Sequence, residues 1–231
     1  MQTNYCVLDL ETGTKTSYGR KGNPWLNNIV AVGWKRNDMP IPNSCYYTDF
    51  GFPNLSIIKS TDILIGHNIK FDLLYLWKDS SIQTLLKQGL KIWDTQLVEY
   101  MLTGQQVKYA SLRDIAVNKY NCPVREKLME EYWAKKIDTK DIPKEVVLLD
   151  VMNDVKDTES IYLQQVVKAD ALHMTTLINL IMDSLLATTE MEYNGIYIDK
   201  QIIHENQHML EQQTLAVAAE SKDIITKYWK I

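Results

Sequence analysis

Apolar and polar positions alternate at the start of the chain, take up a helical period from about residue 68, and give way to a long polar-faced stretch at the end. Residues 5–12 (YCVLDLET) read as a strand, apolar and β-branched, with no Pro or Gly before Gly13. Side chains alternate along a strand, so Cys6, Leu8 and Leu10 share one face and Tyr5, Val7, Asp9 and Glu11 the other. Apolar residues on both faces predict a central strand covered on both sides. Residues 13–24 are turn-rich and basic. Asn28–Trp34 and Ser44–Thr48 read as further strands of an antiparallel meander, followed by a loop over Phe50–Asn54, a short helix over Leu55–Ser60 and a brief strand, Ile63–Ile65, ended by Gly66.

Helical spacing then takes over. Helices are predicted over Asn68–Lys78 with Asn68 as N-cap, Thr95–Leu102 ended by Gly104, and Ser111–Lys119 capped by Ser111. A short strand, Ile92–Asp94, precedes the second of these. Residues 121–144 are charged and irregular, with Pro123 and Pro143 as breakers. Lys144–Lys168 reads as a long amphipathic helix. A helix from Leu172 to Tyr193, a turn at Asn194-Gly195, an extended Ile196–Asp199 and a helix over Gln201–Lys230 complete the chain. Strands followed by alternating helices and strands predict an α/β three-layer fold over residues 1–170 and a helical extension over 171–231.

Composition narrows this only a little. At 231 residues and 45% hydrophobic, the chain can bury a sizeable core. No apolar run approaches the roughly 20 residues of a membrane span. Cys6, Cys45 and Cys122 are odd in number and widely separated, which fits a reducing, cytoplasm-like compartment rather than a disulfide framework. The net charge of −4 gives no global sign of a nucleic-acid partner, although Lys and Arg recur over 15–36 and 108–144.

Three acidic elements carry the candidate chemistry. Asp9 and Glu11 project from the same side of one strand end, and two close carboxylates leaving water are offset most simply by a hard divalent cation. Asn68 and Asp72 are one helical turn apart, after a glycine that permits close approach. Asp150, Asp154 and Asp157 lie at helical spacing on one face. Each has an ordinary explanation taken alone: solvated acids at a strand end, a first-turn acid complementing a helix dipole, or acids beside Lys144 and Lys156.

In this order the elements resemble the DEDD superfamily of 3′–5′ exonucleases, whose domain is RNase H-like. Leu8-Asp9-Leu10-Glu11-Thr12 is similar to the first motif, and Gly66-His67-Asn68 through Asp72 to the second. Trp93-Asp94-Thr95 and Ser111–Ala116 resemble elements between the second and third. Asp154-Val155 with Thr158 matches the second half of the third motif, which favours Asp154 over Asp157. Where the family places Tyr or His, four or five residues earlier, this chain has Asp150 and Leu149. Leu185–Asp199 resembles the segment joining the proofreading domain of family A DNA polymerases to the thumb, in a phage-type arrangement.

The resemblance implies a mixed central sheet flanked by helices, and an enzyme that removes nucleoside 5′-monophosphates from single-stranded or frayed DNA 3′ ends. It implies two divalent cations, Mg²⁺ or Mn²⁺, held by Asp9, Glu11, Asp72 and Asp154. His67, Asn68, Leu10 and Thr12 would meet the substrate. Asp150 would orient or deprotonate the attacking water, add a metal ligand, or face solvent. A polymerase domain on the same or a separate chain, or self-association through the C-terminal helix, would supply the partner, in the cytoplasm of a host such as a phage-infected bacterium. The chain would then be a fragment or one piece of a split polymerase. A catalytically silent DNA-binding domain and an exoribonuclease of the same fold are the alternatives.

Overall fold

The computed structural model describes residues 3–16, 19–20, 22–46, 55–106, 109–126 and 128–229. The loop expected over Phe50–Asn54 lies outside them, as do Tyr47 and Thr48 of the third expected strand and Lys230 of the last expected helix. In chain order the strands are β1 (Tyr5–Thr12), β2 (Lys15–Thr16), β3 (Gly19–Arg20), β4 (Ile29–Arg36), β5 (Asn43–Tyr46), β6 (Ile63–Gly66) and β7 (Lys91–Asp94). The helices are α1 (Ile69–Leu76), α2 (Ser80–Lys87), α3 (Thr95–Leu102), α4 (Leu112–Tyr120), α5 (Glu130–Ala134), α6 (Lys144–Ala171), α7 (Thr175–Asn194) and α8 (Lys200–Trp229).

Five strands form a mixed sheet in the order β5-β4-β1-β6-β7. β1 lies at its centre, antiparallel to β4 and parallel to β6, as its two apolar faces predict. On one face Cys6, Leu8 and Leu10 pack with Leu64 and Ile92 against α1 and Ile82 of α2. On the other, Val7, Ile65 and Trp93 meet Val98 and Met101 of α3 and Val155 and Tyr162 of α6. α7 contributes Ile178 and Met182 to the second cluster and Leu185 to the first. This is the expected three-layer, RNase H-like arrangement.

α6 comes down onto the sheet at Gly33. A methyl group there would stand 2.9 Å from the Val151 carbonyl oxygen and 3.0 Å from Cγ2 of both Val151 and Val155. Gly33 is the β4 partner of Asp9, so the close approach seats α6 beside the acidic end of β1. A buried polar network fixes the layer further. Glu99 of α3 accepts from Lys119 Nζ at 3.0 Å and Tyr120 OH at 2.5 Å on α4, and from Gln165 Nε2 of α6 at 3.1 Å; Gln165 Oε1 accepts from Trp93 Nε1 of β7 at 3.1 Å.

Several local expectations need correction. Asn68 stands at the N-cap position of α1, but its backbone is left-handed (φ 55°) and its side chain caps nothing. Asn tolerates that conformation, and its N–H is held by Asp94 Oδ1 at 3.1 Å. Asn68 is therefore exposed whereas Asp72 is buried, and the two do not share an environment. α2 was not anticipated; only Ile82 of it is buried, and Asp79 caps it by accepting from Ser81 N. The irregular 121–144 stretch contains α5 and a turn of 3₁₀ helix at Thr139–Asp141. Residues 196–198, expected to be extended, lie between α7 and α8 in neither helix nor strand and are exposed. Gly195 does turn the chain, at φ 68°.

Packing separates two units, residues 1–193 and 194–231. The first contains the sheet and α1 to α7. The second is the end of α7 at Asn194, the connection 195–199 and α8. Among the described residues no helix is long and apolar enough to cross a membrane.

Candidate active site

Alternation along β1 places Asp9 and Glu11 on the same face as Val7, the face α6 covers. The pairing of β1 with β4 shifts between Glu11 and Thr12, and such a bulge re-aims side chains at a strand end. Asp154 comes from α6, one turn beyond Asp150. One carboxylate oxygen from each of Asp9, Glu11 and Asp154 lies within 4.8 Å of the others. Asp72 reaches the same region from α1 in the opposite layer. It is 3% exposed, and its Oδ1 accepts from the Leu10 N–H at 3.1 Å.

The electrostatics of this group are those of unneutralised like charges. Burial, then Asp150, raises Asp9 to about 7. Glu11 is raised well above the usual range by burial and by Asp9, Asp154, Asp150 and Asp72. Asp154 is raised by burial, Asp9, Asp150 and Asp157, with Arg125 opposing. Asp72 is raised by burial and by Asp9. An all-oxygen donor set whose members repel one another fits a hard divalent cation.

Asp157 stands apart. Both its oxygens accept from Arg125 Nε at 3.0 Å, and Oδ1 also accepts from Arg125 Nη2 at 2.8 Å. It is 7% exposed and committed to that pair. Asp150 is half-buried in the cleft that Glu11 and Asp154 also line, and burial and Glu130 raise it to about 6.

The expected substrate-contacting residues divide. Asn68 is exposed. Leu10 and Thr12 are buried at 6% each, and the backbone at Gly22 lies so close to Thr12 that a methyl there would be 2.8 Å from Oγ1. His67 Nδ1 lies 3.0 Å from Thr95 Oγ1, which donates to the Gly66 carbonyl at 3.2 Å. Burial lowers the His67 pKa to about 4, so the ring is neutral. Asp94 joins the site indirectly: its Oδ1 accepts from the N–H groups of Asn68, Gln96 and Leu97 and ties the starts of α1 and α3 together.

Sequence reasoning missed two contributors. Gly33 interrupts an apolar strand pattern, which is a signal of close backbone approach. Arg125 left no signal, because its partner lies 32 residues away.

No protein-family model matches the chain, and no curated protein sequence matches it. Solved structures do. Brucella melitensis NrnC matches with a TM-score of 0.61 at 14% identity, over 84% of this chain and 87% of that one. Structures of NrnC with bound Mg²⁺ and bound to pGG give TM-scores of 0.60 at 16% and 15% identity, with the same coverage. A structure described as the apo form of the nuclease gives 0.60 at 12% identity, over 83% and 85%. The fold is the one these proteins share. At such identities the likeness concerns the fold, which brings the ends of β1, β6 and β7 to one edge and lays α6 across them.

Proposed function

We propose that this chain is a metal-dependent 3′–5′ exonuclease that hydrolyses single-stranded nucleic acid and releases nucleoside 5′-monophosphates. The convergence of Asp9, Glu11 and Asp154 from distant parts of the chain carries the reading. Asp72 behind Leu10 supports it. Asp9, Glu11 and Asp154 would hold the cation, with Asp72 completing the set. A divalent cation in such a set supplies Lewis acidity at the phosphate and a bound water of lowered pKa. Asp150 lines the same cleft and, with a pKa near 6, accepts the proton of the attacking water around neutral pH.

RNA is the proposed polymer. The shared fold with NrnC, solved with Mg²⁺ and with pGG, favours a self-standing nuclease over part of a polymerase. Proofreading of frayed DNA ends is the second reading, carried by the resemblance of residues 185–199 to the polymerase linker. The test uses matched 5′-labelled RNA and DNA single strands with Mn²⁺ or Mg²⁺. Stepwise shortening from the 3′ end, faster on RNA and abolished by EDTA, is expected. Faster cutting of DNA would select the second reading, and a folded, Mn²⁺-binding protein that cuts neither would leave a silent domain.

A further inference from the structure

The cleft extends beyond the acidic cluster. Its volume is about 440 Å³, and residues of α4, the 121–134 connection and α6 line it. Most charges in its wall are already committed. Glu11 and Asp154 belong to the cluster, Asp157 and Arg125 hold each other, and Asp114 accepts from the Ser111 hydroxyl at 2.7 Å. Arg113 is different. It is half-buried in the same wall, and among the described residues it makes no hydrogen bond and no ion pair. A guanidinium set beside carboxylates without pairing any keeps its planar fork of donors for a ligand. Trp133 lines the cleft too. Its indole N–H is anchored on Thr139 Oγ1 at 3.2 Å, which fixes the ring, yet the residue is 38% exposed.

From this pairing we infer that the outer cleft is a nucleotide subsite, in which Arg113 grips a phosphate neighbouring the scissile one and Trp133 stacks on that nucleotide's base. The inference rests on the nuclease reading and deepens it. Arginine matches a phosphate with two parallel hydrogen bonds, and an aromatic face accepts any base. The charge balance makes Arg113 decisive. Glu126, Glu130 and Asp150 also face the cleft and repel a polyanion. Of the two basic side chains among the described residues lining it, Arg125 is spent on Asp157.

Binding of a fluorescein-labelled single-stranded oligonucleotide, followed by anisotropy in Ca²⁺ with strand integrity checked on a gel, tests this, alongside cleavage in Mn²⁺. Arg113→Ala should weaken binding about tenfold or more and flatten the log–log salt slope by about 0.7, one phosphate's share on a single strand. Its melting temperature should change little, because no hydrogen bond or ion pair is lost. Arg113→Lys should keep the slope and recover part of the affinity. Trp133→Ala should weaken binding about tenfold without touching the slope, and Trp133→Phe should restore most of it. Wild-type binding by both alanine variants, or weaker binding by Arg113→Ala at an unchanged slope, would overturn the subsite while wild-type cleavage kept the nuclease reading. A folded wild-type protein that neither binds nor cuts would overturn both.

Discussion

Asp154 and Asp157 stand one turn apart on α6 and do opposite work. Asp154 meets Asp9 and Glu11, whereas Asp157 answers Arg125. Asp154→Ala should slow cleavage by roughly a hundredfold or more with the fold intact. Asp157→Ala should strand the Arg125 guanidinium, whose side chain is only 27% exposed, and cost about 1–3 kcal/mol in a denaturant titration. The reverse pattern would mean that Asp157 is the ligand. The third-motif resemblance favoured Asp154, but the residues alone left all three aspartates equivalent; Arg125 sets Asp157 apart, and the approach to Asp9 and Glu11 singles out Asp154. Asp150→Ala should slow cleavage about tenfold or more if the carboxylate takes the water's proton. Asp9 ties the cluster to pH. Its pKa rises from 3.8 to about 7 on folding, so its protonated form stabilises the fold. That contribution is full below about pH 4 and is lost as pH climbs through about 7. Calorimetry of the metal-free protein should therefore show a lower Tm at pH 8 than at pH 5. Mn²⁺ should raise the Tm at pH 8, because only the folded chain assembles the cluster, and Asp9→Asn should reduce both effects, leaving the share of Glu11, Asp72 and Asp154.

At the scale of elements, the periods in the sequence were enough to place β1 at the centre of the sheet, α6 as the long covering helix and the Ser111 cap of α4, whose side chain accepts from Asp114 N. Those features are local: alternation, spacing and a cap are written within a few residues. What the pattern did not carry was depth. α2 separates its apolar from its polar positions clearly, yet it is eight residues long and buries a single side chain. The left-handed Asn68 depends on Asp94, 26 residues further on. The distance between α6 and β1 is set by Gly33, which presents no side chain to α6. Gly33→Ala tests that spacing. The added methyl would press on the Val151 carbonyl oxygen and on two valine side chains, forcing α6 outward by tenths of an ångström. Overpacking of this kind costs about 1–3 kcal/mol. Because the same helix carries Asp154, cleavage should fall about tenfold as well, more than the stability loss alone accounts for. Unchanged cleavage in a destabilised Gly33→Ala protein would show that the acidic cluster tolerates movement of α6.

For the whole molecule, the apolar core clusters all lie within residues 1–193, while the described side chains of α8 are all exposed. Ile203, Leu210, Val217 and Ile224 are 47%, 57%, 61% and 50% exposed. They recur every seven residues, a spacing that keeps one stripe turned toward a neighbouring helix over its full length. Each copy of the chain carries the same stripe, so a second copy is a partner of the right shape. Asn206 and Gln213, three residues after the first two members of the stripe, place polar groups beside it. Polar residues in such a seam cost stability while fixing register. The expected association is therefore weak and concentration-dependent. Sedimentation velocity should show the average mass rising with concentration, and Leu210→Glu with Val217→Glu should return the chain to a monomer at every concentration. Cleavage per chain should not change in that variant, because every residue of the acidic cluster lies in the first unit. A wild-type chain that stays monomeric throughout would overturn self-association and shift the cover of α8 to a different polypeptide.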